Sequence, residues 1–281
     1  MLNFISAYQG IPAYIRAARQ HPQSEWAALW QQHAVEPYWQ AWAAGQFNEE
    51  RTRQQMQAPI TDLDSLAIEV DLLAASGVEQ DIESAYARMT ALLLSPAPSR
   101  TVCIYPLDPA DRTTVERMNG VVGTCVGDNI LLKINPAAPG WLEWVPYVLA
   151  HEYHHTVWGY NYFAVRKNTK MDLLTGFIVD GQADSFAGAV FPGFSPSWVR
   201  NLTPQQEASL WLEVRPRLHS EDHADYQRFM FGDEAAGIPW CAGYTLGYRL
   251  VQNYLQKHPG MSWVDLVDIA PWNIYKEIYD L

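Results

Sequence analysis

The chain has 281 residues, of which 48% are hydrophobic and 13% aromatic, enough to bury a substantial core. Its formal net charge of −12 argues against a nucleic-acid or anionic-membrane partner, because the summed field repels phosphate. No stretch approaches the roughly 18 uninterrupted apolar residues of a membrane span. The first ten residues lack the basic and apolar regions of a signal peptide, so we expect a cytoplasmic protein, with its oligomeric state open.

The first part of the chain, up to about Ser95, is predicted to be helical in several short pieces. Its aromatic residues recur at spacings near three and four, which is typical of buried helix faces, although a carbohydrate or peptide platform is an alternative. The Pro-rich segment 95–98 ends this region. We therefore predict a helical N-terminal region over residues 1–98 and a second domain over 99–281, with the N-terminal helices packed against it.

Three β-prone runs follow the break: Thr101–Tyr105, Val121–Val126 and Ile130–Ile134. Residues 127–129, Gly-Asp-Asn, have the composition of a hairpin turn. A small sheet is therefore predicted just before the next helix. The three cysteines of the chain are odd in number and far apart, which favours buried thiols over disulfides or a cysteine zinc site.

An HExxH motif occupies residues 151–155. Pro139-Gly140 precedes the run and Gly159 follows it, so we predict a helix that begins near Trp144, with Pro146 in its first turn. Residues four apart on a helix share a face. His151 and His155 can thus bind one metal ion with Glu152 beside them, the geometry of a zinc peptidase. The alternative is that these are ordinary helix residues.

The sheet and the motif helix together suggest how a substrate would be held. An edge strand beside a zinc helix can bind an extended peptide through main-chain hydrogen bonds. Gly123 and Thr124 are the candidate substrate-binding residues, because glycine lets another backbone approach closely. The alternative is an ordinary hairpin with bulges.

A hydrolytic zinc site needs three protein ligands and one open position. Leu173–Val190 is predicted to form a second helix that carries Asp180 and Asp184 on one face. Asp180 is the candidate third ligand, and Asp184 could accept the ring N–H of a ligating histidine. Four small residues on this helix would let it lie close to the first: Gly176, Gly181, Ala183 and Gly188. A solvated acidic face is the alternative.

A donor for the developing oxyanion is the remaining part of such a site. Residues 239–257 are predicted to form a third helix that carries Tyr248, our first choice. His223, in the polar segment before that helix, is the second choice. His154 lies about 60° from His151 in helical projection, on the side opposite His155, so we expect it to support the site or lie at the surface.

Several of these segments together resemble the bacterial YjaZ-like family of predicted zinc-dependent proteases. They are the HExxH motif, the Gly-x-x-Gly-Thr hairpin at residues 120–124, the second-helix sequence at 180–184, and Tyr-Thr-Leu-Gly-Tyr at 244–248. The similarity extends from about Arg100 to the C-terminal helices. It implies a gluzincin, with a zincin-like fold in which HExxH and an acid on the next helix bind zinc. The family usually has Glu-Gly-Leu-Ala-Glu where this chain has Asp-Gly-Gln-Ala-Asp, so each acid is one methylene shorter.

The sequence therefore predicts an α+β, predominantly helical protein with a small sheet packed on the HExxH helix. The predicted function is hydrolysis of peptide bonds in a peptide or protein substrate, with Zn²⁺ as cofactor and Glu152 as general base. One alternative is a weak or inactive peptidase scaffold that binds peptide or metal, which the shorter Asp180 keeps open. Another is a helical interaction protein whose motif is accidental.

Overall fold

The computed structural model describes residues 1–47 and 49–279. Contacts divide the chain into two compact units, one with residues 1–88 and 95–156 and one with residues 89–94 and the chain from 157 onward. The described part is predominantly helical and contains a four-stranded mixed sheet, as the predicted α+β class requires. The predicted domain boundary lies between residues 98 and 99. It stays a prediction, because it concerns which parts of the chain fold independently and the two units are defined by contacts.

The first unit contains the sheet, the N-terminal helices and most of the motif helix. Two of its helices, α6 and α8, run on into the second unit. In chain order its elements are β1 (Leu2–Ile5), α1 (Ile11–Ala18), α2 (Trp26–Trp30), α3 (Glu36–Trp42), α4 (Glu49–Gln55), α5 (Leu63–Ala75), α6 (Val78–Leu92), β2 (Arg100–Pro106), α7 (Arg112–Arg117), β3 (Val121–Val126), β4 (Asn129–Ile134) and α8 (Trp141–Gly159).

The sheet has the strand order β1-β2-β4-β3. β2 is buried along its whole length and pairs in parallel with both β1 and β4, as expected for a central strand rich in β-branched and aromatic residues. β3 is an edge strand that pairs antiparallel with β4 through the predicted hairpin. The sequence prediction missed β1, whose four residues pair with Arg100–Cys103 and give no local signal of that distant partner.

The N-terminal helices pack against the sheet and the motif helix, as predicted. Tyr105 on β2 donates a hydrogen bond to the carbonyl of Ala34 at 2.8 Å. Tyr86 on α6 and Tyr153 on α8 meet edge to face, with ring centroids 5.7 Å apart. Three of the regularly spaced tryptophans are buried in this core, which favours packing over a ligand platform: Trp30, Trp39 and Trp42.

Glu69 on α5 is a carboxyl group buried in this unit. Only 2% of the residue is exposed, and its Oε2 has no hydrogen-bond partner among the described residues. Burial first, and the charges of Asp108 and Asp62 second, raise the pKa of Glu69 to about 8 from an ordinary 4.5. The unfolded chain thus releases this proton at a lower pH than the folded one. The contribution to stability is complete below pH 4.5 and is lost as the pH rises toward 8.

Replacing Glu69 with Gln is expected to flatten this part of the pH dependence, because the amide does not ionise. At pH 8 the variant should be more stable than the wild type by about 2 kcal/mol. It no longer carries the cost of a buried ionisable carboxyl, but burying the amide offsets part of that gain. Urea unfolding between pH 5 and pH 9 measures the effect. Glu83→Gln on the exposed side of α6 is the control and should follow the wild type. Parallel curves for wild type and Glu69→Gln would contradict the prediction.

The second unit is helical. Its core is formed by α9, α12 and the surrounding shorter helices. Beyond the last turn of α8, one π-helical segment, Tyr160–Val165, continues the chain past Gly159. The remaining helices are α9 (Leu173–Val190), α10 (Pro204–Val214), α11 (His223–Tyr226), α12 (Ala242–Lys257), α13 (Trp263–Val267) and α14 (Pro271–Ile278).

α9 is almost entirely buried, and α12 lies directly against it. A Cβ atom added at Gly181 would meet the carbonyl of Gly247 and lie 2.8 Å from the amide nitrogen of Tyr248. The nearest atoms to such a Cβ at Gly176 belong to Tyr226. The prediction that these glycines accommodate the motif helix was therefore wrong for Gly176 and Gly181. They accommodate α12 and Tyr226, because α9 buries more than one face.

No described helix combines the length and the apolar composition that crossing a membrane requires.

Candidate metal centre

The HExxH motif lies in the second half of α8, in regular helix. The helix begins at Trp141 rather than at the predicted Trp144, and Pro146 therefore lies in its second turn. Proline there leaves the carbonyl four residues earlier without its helical donor. The motif begins five residues after Pro146, so its own turn keeps the spacing of an ordinary helix.

His151 and His155 direct their rings toward each other. Their Nε2 atoms are 2.9 Å apart, and the rings are nearly perpendicular, with an interplanar angle of 83°. Two nitrogens bound to one tetrahedral zinc at 2.0–2.1 Å would be about 3.3 Å apart. The observed separation is close to that value, and His151 is buried while His155 is partly exposed. The pair fits two ligands of one ion.

Asp180 is the third member of a group that could hold a metal ion. One ligand atom each from His151, His155 and Asp180 lies within 4.8 Å of the others. Two imidazoles and a carboxylate form a donor set that zinc accepts readily, and three protein ligands leave the fourth tetrahedral position for water or substrate. The side chains present therefore fit a divalent metal such as zinc.

Glu152 lies against the edge strand β3. A Cβ atom added at Gly123 would be 2.8 Å from Cδ and Oε1 of Glu152, and closer still to Cγ. The carboxylate also contributes to raising the pKa of Cys125, although burial of that thiol is the larger cause. Gly123 and Cys125 point to the same face of β3 because side chains alternate along a strand. This face of the edge strand is thus the one that borders Glu152.

Replacing Gly123 with Ala is expected to destabilise the protein and displace Glu152, since there is no room for the added methyl group. The cost of such overpacking is about 1–3 kcal/mol. Urea unfolding measures it. Gly188→Ala on α9 is the matched control, because an added Cβ there meets nothing within 4 Å and alanine favours a helix by about 0.5–1 kcal/mol. A Gly123→Ala variant as stable as the wild type would show that Glu152 can shift at no cost.

Asp184 lies one helical turn beyond Asp180 and is fully buried. The indole Nε1 of Trp198 donates to both of its carboxylate oxygens, at 3.0 and 3.2 Å. The sequence analysis did not single out Trp198. It lies 14 residues from Asp184 in a short helical turn, and no local spacing pattern connects the two.

The two candidate oxyanion donors differ in their surroundings. Tyr248 lies on α12, which begins at Ala242 rather than at the predicted Pro239 because Cys241 takes a left-handed conformation with φ of 53°. Burial raises the pKa of Tyr248; Arg200 lowers it and Asp184 raises it to a smaller extent. His223 is exposed at the start of α11.

Thr124 lies on the edge strand β3, and His154 lies on the motif helix α8. Thr124 is partly buried on β3, and its hydroxyl donates to the carbonyl of Gly123 at 2.8 Å. His154 is fully buried, which excludes the surface alternative and leaves its supporting role as a prediction. The helix that carries it is covered on more than the metal-facing side.

The structure therefore defines a candidate metal centre of two histidines and one aspartate, with a glutamate next to the first histidine. The profile of the family described as "Predicted Zn-dependent protease (DUF2268)" matches residues 78–276, and the chain belongs to this family. The matched range includes all of the residues proposed for the site.

One relative is "Uncharacterized protein YjfC" of Bacillus subtilis (strain 168), which is 29% identical over 136 residues. The match covers 44% of this chain and 44% of that protein, so the chain spans less than half the length of this relative. No solved structure matches the chain.

Proposed function

We propose that the protein is a zinc-dependent peptidase. The observation that carries the proposal is the grouping of donor atoms from His151, His155 and Asp180 within 4.8 Å of one another. The position of Glu152 beside this group supports a catalytic role rather than a purely structural metal. The resemblance to the YjaZ-like family supports a zincin-like fold of the gluzincin type. We retain the cytoplasm as the proposed location.

In this proposal His151, His155 and Asp180 hold the metal. Zinc would supply a Lewis acid for the scissile carbonyl and lower the pKa of water toward neutrality. Asp184 accepts a ring N–H from a ligating histidine and so selects the tautomer that leaves the other ring nitrogen to the metal. Since Asp180 is one methylene shorter than the family's usual glutamate, its carboxylate binds either directly or through a water.

Glu152 acts as general base and takes a proton from the attacking water, then passes it to the leaving amine. Tyr248 donates a hydrogen bond to the developing oxyanion. A phenol with the ordinary pKa of 10 is already protonated at neutral pH, and burial raises the pKa of Tyr248 further, so it can donate. His223 is the second choice for this role because it is exposed.

The substrate in this proposal is a peptide or protein segment held in extended form against β3. This strand is at the edge of the sheet, so one side of its backbone is not used by a neighbouring strand. Gly123 and Thr124 would pair with the substrate backbone, and Gly123 also places that backbone next to Glu152. Main-chain pairing gives affinity with little selection among side chains.

The test is to measure zinc stoichiometry and cleavage of a mixed peptide library on the same preparation. We expect one zinc per chain and zinc-dependent cleavage. One anomalous-scattering peak at the zinc edge, with His151, His155 and Asp180 around it, is the expected crystallographic result. Stoichiometric zinc without cleavage would favour the alternative of a peptidase-like scaffold that binds peptide or metal. Absence of zinc after reconstitution would overturn the proposal and favour a helical interaction protein.

A further inference from the structure

We propose that Trp198 is a positioning residue of the metal centre, which acts by holding the carboxylate of Asp184 in a fixed orientation. This inference rests on the proposed function, because it assigns Trp198 to the carboxylate that would orient a zinc-binding histidine. It adds a residue that lies outside every motif of the sequence analysis.

The contact between the two side chains is specific and protected from water. The indole N–H of Trp198 lies 3.0 Å from Oδ1 and 3.2 Å from Oδ2 of Asp184. The aspartate is fully buried, and the tryptophan is 5% exposed. A donor shared by both oxygens holds the carboxylate end against the indole and so limits the rotamers that the Asp184 side chain can take.

The backbone of Trp198 is itself anchored to α12. The hydroxyl of Thr245 donates to the carbonyl of Trp198 at 2.8 Å. The same hydroxyl accepts the backbone N–H of Asn201 at 3.1 Å. Thr245 is fully buried. A chain of hydrogen bonds therefore runs from α12 through the segment after α9 back to Asp184 on α9.

This arrangement leaves the carboxylate able to do more than satisfy one indole. An ionised carboxylate has about four lone-pair sites, and one N–H uses only part of them. A carboxylate held in this way can also accept the ring N–H of a ligating histidine. Because partners beyond the ligands tune metal affinity by about 10- to 100-fold, loss of the indole donor should be measurable in zinc binding.

The competing interpretation is that Trp198 only satisfies a buried carboxylate and has no connection to the metal. The chain offers a matched control for this. Trp272 donates its indole N–H to Oδ2 of Asp172 at 2.7 Å, and Asp172 is the N-cap of the same helix, α9. Both pairs thus join an indole to an aspartate of α9, but only Asp184 lies within one turn of Asp180.

The experiment compares Trp198→Phe and Trp272→Phe in the full chain, because phenylalanine keeps an aromatic ring and removes the N–H. The dissociation constant for zinc is measured by competition with a chelating dye, and the urea midpoint is measured for the metal-free proteins. We expect Trp198→Phe to bind zinc about 10-fold more weakly and Trp272→Phe to bind it as the wild type does. Both variants should show a lower urea midpoint.

A double-mutant comparison tests whether Trp198 acts through Asp184. In an Asp184→Ala background, Trp198→Phe should cause no further loss of zinc affinity. If Trp198→Phe does not fold, Thr245→Val, which loosens the anchor while keeping the side-chain shape, should weaken zinc binding by a smaller factor.

Two results would overturn the inference, and they are distinguishable. Equal zinc affinity of Trp198→Phe and a zinc-binding wild type would show that the indole is structural only, with the proposed function intact. A wild type that binds no zinc would overturn the proposed function and this inference with it.

Discussion

Replacing Glu152 with Gln is expected to abolish peptide cleavage and to leave zinc binding unchanged. Glutamine has the same shape, so the close packing against Gly123 is kept. The amide cannot accept the proton of the attacking water, however. General-base catalysis contributes about 10²- to 10⁴-fold, and we expect kcat/KM to fall by at least about 100-fold. Zinc stoichiometry should stay at the wild-type value, because Glu152 is not one of the three grouped donors.

The matched control for this variant is Glu143→Gln, the same change at an exposed position in the first turn of α8. It should cleave the peptide library at the wild-type rate. The two variants differ only in where on the helix the charge is removed. If Glu152→Gln cleaved as fast as Glu143→Gln, the general base would have to be another group. Equal inertness of the wild type and Glu152→Gln, with zinc bound to both, would favour the scaffold that binds without turnover.

Replacing Asp180 with Ala is expected to weaken zinc binding by more than about 100-fold, since loss of a direct ligand should exceed the loss of a supporting partner. Zinc should raise the Tm of the wild type, because a ligand that binds only the folded state stabilises it in proportion to the logarithm of its concentration over Kd. The same zinc concentrations should leave the Tm of Asp180→Ala nearly unchanged. Zinc titration followed by calorimetry measures both effects.

Asp71→Ala is the control for general loss of an acidic side chain, because Asp71 is exposed on α5. Its zinc affinity should equal that of the wild type. Asp180→Glu adds the methylene that the YjaZ-like resemblance implies is usual at this position, and we expect it to retain zinc. Undiminished zinc affinity in Asp180→Ala would remove Asp180 from the metal centre, and with it the peptidase proposal.

Several elements could be predicted from the sequence because local signals define them. The predicted bounds of α9, Leu173–Val190, and of β3, Val121–Val126, agree with the structure. Gly127 directly follows β3, and Pro192-Gly193 lies just after the end of α9, so both ends have clear local signals. The starts of α8 and α12 were displaced by three residues each. The start of α12 is displaced because Cys241 takes a left-handed conformation. A cysteine gives no local signal for that conformation.

Contacts between distant parts of the chain could not be predicted in the same way. β1 needs β2 as its partner, almost a hundred residues later. Gly176 and Gly181 of α9 were assigned to the wrong neighbour, because composition shows that a helix can pack closely and does not show against what. Trp198 was missed because no local spacing pattern connects it with Asp184.

The sequence by itself determined the helical setting of the HExxH motif, the i, i+4 relation of His151 and His155, and the candidacy of Asp180. These follow from the fixed geometry of one helix and from the chemistry of the side chains. Only the tertiary structure decided that Glu152 lies against Gly123 and that Trp198 holds Asp184. Such contacts depend on how elements far apart in the chain pack together, and backbone periodicity carries no information about that packing.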